Sequence, residues 1–324
     1  MGRLRRPPRR GVARQGHRLT DPNDMPGGGV ESLEWAEAQA MADAYRAAAE
    51  IRPEAARLLE RGRAVALAAT EVDLAFFNRS IGLGVGVPAS DEDLDATVDF
   101  YRGLGRRVAM AHIAPDALPA DIGTRLSARG FAPWTRWAKC WRAIDAGPET
   151  GAAAPETVAA ATGHPTRVSV SALRIERIDR GHSGEFGAIA ASSLALPADS
   201  TSLITAPIGR PGWTHYLGWL DDRPVSIGAM FVVDRVAWFG YGATLREARR
   251  RGGQTEMLAT RLRDAADLGC RMVVTETSED LPDAPNPSFR NLERAGFRVA
   301  YLRRNWMWRN RTRRKRTPRD RTMG

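Results

Sequence analysis

Residues 241–256 constrain the fold of this chain more than any other segment. They read, in order, as the end of a strand, a loop of three arginines and two glycines, and the start of a helix. Gly252 and Gly253 remove side chains where the backbone must turn sharply, so successive N–H groups and the positive end of the helix can face an anion. The arginines add positive charge there. The segment therefore predicts a phosphate site between a strand and a helix.

The elements around this loop have a clear order. A strand over 236–244 precedes it, and the helix from about 255 to 268 ends at Gly269, a residue type typical of helix C-termini. A strand over 271–276 follows, and the chain then predicts a short helix before Gly296 and a last strand over 301–308. This alternation of strands and helices indicates an α/β unit.

The arrangement resembles the core of the GNAT (GCN5-related N-acetyltransferase) family over residues 173–308. The family's Arg-x-x-Gly-x-Gly/Ala loop is matched by residues 249–254, with Gln in the last position. The resemblance implies that acetyl-CoA is the acyl donor and that no metal is needed. It also implies a binding set in which the loop cradles pyrophosphate and the preceding strand end pairs with pantetheine: Arg249, Arg250, Arg251, Gly252, Gly253, Gln254 and Thr255 in the loop, and Ala243, Thr244 and Leu245 on the strand.

Catalysis in this family is a direct attack of an amine on the thioester in a ternary complex, so the resemblance implies the same here. The Tyr that many relatives use as an acid falls on Leu292 in this chain. Two residues are candidates in its absence. Glu276 is a candidate general base, and the alternative is a rim carboxylate paired with an Arg. Tyr301 is a candidate donor to the thiolate, and the alternative is a core aromatic. The resemblance offers three candidates for hydrogen bonds to pantetheine: Asn286, Ser288 and Asn291. For Asn286 and Ser288, the alternative is that the side chain caps a helix.

An earlier part of the chain repeats the later pattern, since Gly130-Phe131 corresponds to Gly296-Phe297. We therefore predict an α/β protein with an α+β mixed sheet, built from two tandem GNAT-like domains. The predicted boundaries are a disordered basic leader (1–32), a degenerate domain (33–143), a linker (144–170), the acetyltransferase domain (171–308) and a disordered basic tail (309–324). The degenerate domain is predicted to begin with a helical stretch over about 33–61 that Pro53 interrupts.

The first copy is not expected to bind CoA. Its loop continues into Asp91, Glu92 and Asp93, and carboxylates in the first turn of a helix repel pyrophosphate. The Gly84-x-Gly86 pattern also matches a dinucleotide fingerprint, but no ordinary Rossmann unit surrounds it. Three residues of this copy either face a shared cleft or are structural: Asp73, Asn78 and Arg79.

The formal charge of +10 lies at the two ends of the chain. Residues 1–24 carry +5 and residues 309–324 carry +7, which leaves −2 between them. Nucleic-acid contact is therefore expected only through the Arg-rich tails. The acceptor is predicted to be a small-molecule or peptide amine, and a monomer or homodimer without membrane contact is expected in the cytoplasm. A non-catalytic acyl-CoA-binding protein is the alternative function.

Overall fold

The computed structural model describes residues 29–144, 173–197 and 200–310. Its strands form a single eleven-stranded mixed sheet in the order β1-β2-β3-β4-β11-β5-β10-β9-β8-β7-β6. The strands are β1 (Ala56–Arg61), β2 (Ala64–Ala69), β3 (Arg79–Ile81), β4 (Val108–Ile113), β5 (Phe131–Ala143), β6 (Leu173–Ile178), β7 (Trp213–Leu220), β8 (Arg223–Val233), β9 (Val236–Thr244), β10 (Met272–Ser278) and β11 (Arg298–Arg309). The predicted leader (1–32), linker (144–170) and tail (309–324) lie largely outside the described residues, although residues 29–32 are helical and Arg309 belongs to a strand.

Helices cover both faces of this sheet, because neighbouring strand residues bury their side chains on opposite sides. Val65 and Leu67 pack in one core and Ala66 and Ala68 in another. One helical layer contains α1 (Gly29–Ile51), α4 (Ser183–Leu194) and α5 (Thr201–Thr205), and the other contains α2 (Asp91–Gly103), α3 (Ile122–Ala128), α6 (Gly253–Asp267) and α7 (Pro287–Arg294). Among the described residues, no helix combines the length and the apolar character that crossing a bilayer requires.

The two halves, residues 29–144 and 173–310, interleave their last strands. Strand β5 of the first half lies between β10 and β11 of the second half, antiparallel to both. Strand β11 of the second half in turn pairs with β4 of the first half, as in Arg304 opposite Ile113. Each half therefore completes the sheet of the other, and side chains of β5 reach the centre of the second half.

The predicted first helix is wrong at its C-terminal end. Helix α1 stops at Ile51, and residues 56–61 form β1, which pairs with β2 from Ala56 opposite Ala69 to Arg61 opposite Ala64. Pro53 has no N–H to continue the helical ladder, and Gly62 makes the hairpin turn with a φ of 59°. The helix-forming composition of 56–61 is overridden by strand pairing.

Ser90 and Asp93 cap the N-terminus of α2. The Ser90 hydroxyl accepts from the N–H of Asp93 at 3.1 Å, and the Asp93 carboxylate accepts from the N–H of Ser90 at 3.0 Å. This reciprocal pair is a capping box. It satisfies donors at the N-terminus of α2 with the protein's own groups.

Candidate active site

A cleft opens where the parallel strands β9 and β10 separate. They pair only from Met272 opposite Val236 to Val274 opposite Trp238. The Thr275 hydroxyl then donates to the carbonyl of Phe239 at 2.8 Å, at the point of divergence. Beyond it, both strands line a cavity of about 340 Å³. A strand edge without a strand partner offers backbone groups to an extended ligand.

A β-bulge shapes the β9 side of this cleft. The pairing of β8 with β9 shifts between Ile227 and Ala229, and Tyr241 adopts a φ of 53°. Gly240 is required here because a Cβ would lie 1.9 Å from the ring of Trp238. The buried Arg261 of α6 donates to the carbonyls of Ala229 at 3.1 Å and Gly240 at 3.3 Å. The bulge is therefore held in place by a side chain from the helix that follows it.

The Arg-Gly loop leads from β9 into α6. Arg250 and Gly252 have φ angles of 64° and 82°, and α6 begins at Gly253. The first N–H groups of a helix have no partners within the helix. The side chains of Arg249, Arg250 and Arg251 are exposed and form no ion pair with the described residues. This is the geometry of an anion site at a helix N-terminus.

Two side chains connect the loop to the end of β9. The Gln254 amide donates to the Thr244 hydroxyl at 2.9 Å, and Arg249 Nε donates to the Thr244 carbonyl at 3.3 Å. Gln254 also lines the cleft. The strand end Ala243, Thr244 and Leu245 thus lies beside the predicted phosphate loop, and Thr255 lies in the first turn of α6.

Glu276 lies on the β10 side of the cleft with its side chain 7% exposed. One carboxylate oxygen accepts from Trp238 Nε1 at 2.6 Å, and the other accepts from Lys139 Nζ at 3.3 Å. Burial and the nearby Glu37 raise the pKa of Glu276 above its ordinary 4.5, although Lys139, Arg303 and the Trp238 hydrogen bond oppose this. Among the described residues, no exposed Arg pairs with Glu276 at the rim. Its partner is a buried lysine.

Lys139 and Glu276 belong to a buried charged cluster formed by Glu34, Glu37, Lys139, Glu276 and Arg303. Lys139 Nζ lies 2.7 Å from Glu37, and Arg303 Nη1 lies 3.0 Å from Glu34. Burial alone would raise the pKa of Glu37, but Arg303 and Lys139 hold it well below its ordinary value. Because the cluster has three carboxylates and two cations, uptake of one proton makes it neutral.

Tyr301 lies in the same cluster and not in the cleft. Its hydroxyl donates to Glu34 at 2.6 Å, and its side chain is among the buried residues of the core. Burial and the Glu34 carboxylate raise its pKa well above 10.0. The structure therefore places Tyr301 in the role of the core aromatic, away from the cleft where a thiolate would leave.

Helix α7 contributes Ser288, Asn291 and Leu292 to the cleft wall. Asn286 caps the helix instead: its side chain accepts from the Ser288 N–H at 3.0 Å and donates to the Thr277 hydroxyl at 2.9 Å. The apolar Leu292 stands at the position where the family resemblance calls for Tyr. Ser288 and Asn291 remain placed to meet a ligand, and Asn286 does not line the cavity.

The first half supplies Phe76, Arg79 and Trp137 to the cleft. Of the three residues predicted either to face a shared cleft or to be structural, Arg79 faces it. Asp73 and Asn78 are structural: the Asn78 amide donates to Asp73 at 3.2 Å and to the carbonyl of Val108 at 3.1 Å. The cleft is therefore assembled from both halves of the chain.

The corresponding loop of the first half is occupied by its own side chains. Arg61 donates to Glu92 at 2.7 Å and to Asp93 at 2.9 Å. A Cβ on Gly86 would lie 2.9 Å from the carboxylate of Glu31. The acidic side chains at this helix start are paired with arginines of the same half. That the first copy binds no CoA stays a prediction.

Comparison with solved structures identifies the architecture. A GCN5-related N-acetyltransferase from Kribbella flavida matches with a TM-score of 0.51 at 17% identity, covering 82% of this chain and 94% of that chain. The chain has the GNAT fold. A functionally unknown conserved protein from Staphylococcus epidermidis ATCC 12228 matches with a TM-score of 0.50 at 9% identity, covering 81% of this chain and 97% of its own. A tandem GNAT protein from the clavulanic acid biosynthesis pathway matches with a TM-score of 0.49 at 14% identity, over 86% and 94% of the two chains.

The predicted fold is thus confirmed, and the Kribbella flavida match extends over both GNAT-like halves. No protein-family model matches the sequence, and no curated protein matches it. The GNAT fold places the cleft between β9 and β10 at the centre of the second half. The function is therefore inferred from the residues that line this cleft.

Proposed function

We propose that this protein transfers an acetyl group from acetyl-CoA to the nitrogen of an amine acceptor. One observation carries the proposal. The cleft between β9 and β10 has an arginine-rich helix start at the end of β9 and a buried carboxylate with a raised pKa, Glu276, on the facing strand. An anion site beside a general base is what this reaction requires.

Acetyl-CoA fits this cleft as the donor substrate. Its pyrophosphate would lie against the N–H groups of residues 250–255 and the side chains of Arg249 and Arg251. Pantetheine would run along β9 at Ala243 and Thr244, where the strand has no partner on the β10 side. Ser288 and Asn291 on α7 face the same cavity and offer hydrogen bonds to the amide groups of pantetheine.

Glu276 acts as the base in this mechanism. The amine nitrogen attacks the thioester carbonyl, the C–N bond forms, the C–S bond breaks, and Glu276 accepts the proton that the nitrogen loses. CoA leaves as a thiolate and is protonated to the thiol. A carboxylate with a raised pKa is a stronger base than an exposed one, and Lys139 and Trp238 hold it in position. The β-bulge at Tyr241 interrupts the pairing of β8 with β9. A backbone N–H that faces the cleft at this bulge would stabilise the negative charge that develops on the thioester oxygen.

Titration calorimetry of acetyl-CoA tests the donor site. We expect the unaltered protein to bind acetyl-CoA and the Arg249→Ala, Arg251→Ala variant to bind it at least tenfold more weakly. The matched control is Arg102→Ala, Arg263→Ala, which removes two exposed arginines away from the loop and causes the same change in net charge. Equal weakening in both variants would show a general charge effect and contradict the assigned site.

A non-catalytic acyl-CoA-binding protein is the second candidate, because the apolar Leu292 lines the cleft where an acid would protonate the thiolate. This candidate predicts the same calorimetry. It differs in that no amine is acetylated. Turnover therefore separates the two functions.

A further inference from the structure

Arg79 is a buried cation in the cleft wall that the acetyl-transfer mechanism does not use. It lies on β3 of the first half, is 5% exposed and lines the cavity together with Phe76 and Trp137. A guanidinium stays charged at any pH at which a protein is folded. Burying such a charge without an anion is costly.

Within the described residues, no carboxylate pairs with Arg79. Its Nη2 lies 2.7 Å from the sulfur of Met41, which is a weak acceptor, and its Nε is buried with no hydrogen-bond acceptor. The guanidinium carbon lies 4.9 Å from the ring centroid of Phe76. Aromatic and thioether contacts position this group but leave donors of its planar fork unused.

The other buried cations near the cleft differ from Arg79 in this respect. Lys139 and Arg303 contact the carboxylates of the buried charged cluster. Arg261, which also lines the cavity, donates to three backbone carbonyls. Among these four cations, Arg79 alone has neither an ion pair nor a hydrogen bond to an oxygen in the described part of the chain. Its guanidinium therefore has donors left for a group that enters the cavity.

We propose that the acceptor is an amine that also carries a carboxylate, and that Arg79 binds this carboxylate. The inference rests on the proposed acetyl transfer, because it places the amine at Glu276 and the carboxylate at Arg79 within one cavity. A guanidinium fork matches a carboxylate with two parallel hydrogen bonds. The remaining walls of the cavity include the aromatic rings of Phe76, Trp137, Trp238 and Tyr241, which suit an apolar body between the two charged groups.

Two compounds that differ only in charge test this proposal without acetyl-CoA. We expect calorimetry to show that 3-phenylpropionate binds the full chain at least tenfold more tightly than 3-phenylpropan-1-ol. The Arg79→Met variant should lose this preference. The Arg249→Ala, Arg251→Ala variant should keep it, which shows that the probe does not bind at the phosphate loop. The proposal is overturned if the unaltered protein binds the two compounds with equal affinity or binds neither. This result can be obtained without any variant.

Turnover with matched amines gives the second measurement. Phenylalanine and phenethylamine differ by one carboxylate, and we expect kcat/KM to favour phenylalanine at least tenfold. The Arg79→Lys variant keeps the charge but not the fork, so the preference should fall mainly through KM, while the affinity for acetyl-CoA is retained. Acetylation of both amines with equal kcat/KM would leave the acetyltransferase function standing and overturn the assignment of Arg79.

Discussion

Replacing Glu276 with Gln should remove the general base while keeping the shape of the cleft. General-base catalysis contributes roughly 100- to 10,000-fold to a rate, so we expect kcat to fall by about that factor. The two oxygens of Glu276 accept from Trp238 at 2.6 Å and from Lys139 at 3.3 Å. A Gln side chain has one oxygen for these two donors, and the lost hydrogen bond costs about 1–3 kcal/mol of stability.

The dependence of the rate on pH identifies the base. Burial raises the pKa of Glu276 above 4.5, and the base acts in its ionised form, so the rate should fall as the pH drops through this raised pKa. Initial rates of thiol release across the acidic to neutral range measure this decrease. We expect Glu276→Gln to lose the low-pH limb, and Glu185→Gln, which replaces an exposed carboxylate on α4, to keep both the rate and the limb. A Glu276→Gln enzyme within threefold of the unaltered rate, with its low-pH limb intact, would refute the assignment.

Three further substitutions or truncations test the framework of the site. Lys139→Met leaves Glu37 and Glu276 buried without their shared cation, so urea unfolding should show a loss of about 3–5 kcal/mol; a loss below 1 kcal/mol would mean that the cluster is not organised around Lys139. Gly240→Ala would place a methyl group 1.9 Å from the ring of Trp238 and should lower the free energy of unfolding by about 1–3 kcal/mol. The matched control is Gly253→Ala, whose methyl group would meet its nearest neighbour at 3.6 Å and should leave unfolding unchanged. Residues 171–310 expressed alone lack β5 between β10 and β11 and should not unfold cooperatively, whereas addition of residues 29–144 should restore a single transition; a stable, active second half would contradict the interleaved sheet.

The second half could be predicted from sequence because its signals are local. The loop at Gly252 and the helix that begins beside it depend on residues close together in the chain. Backbone preferences and capping act over a few residues, so their spacing is visible in the sequence. The same holds for the capping box of Ser90 and Asp93.

The buried charged cluster could not be predicted, because its members are far apart in sequence. Glu37, Lys139 and Glu276 meet only after β5 has inserted between β10 and β11. One signal was present: Lys139 is one of two lysines in the chain and lies in an otherwise apolar stretch. Tyr301 and Asn286 were ambiguous for a related reason, since a phenol or an amide suits a site and a structural role equally until its partners are known.

The position of Arg79 in the cleft wall could not be predicted from the sequence either. Its strand is only three residues long, and nothing in the sequence connects it to a cleft formed by β9 and β10. The first half faces this cleft because the strands interleave. Long-range topology, and not local preference, determines which residues meet the substrate.

An assay of acetyl transfer tests the proposed function directly. The full chain is incubated with acetyl-CoA and a panel of amines that includes matched compounds with and without a carboxylate, and both the released CoA thiol and the acetylated amine are quantified. We expect equal amounts of thiol and N-acetylated product from at least one amine, and loss of both in the Glu276→Gln variant. Binding of acetyl-CoA without any acetylated product would contradict the proposed acetyl transfer and favour a non-catalytic acyl-CoA-binding protein.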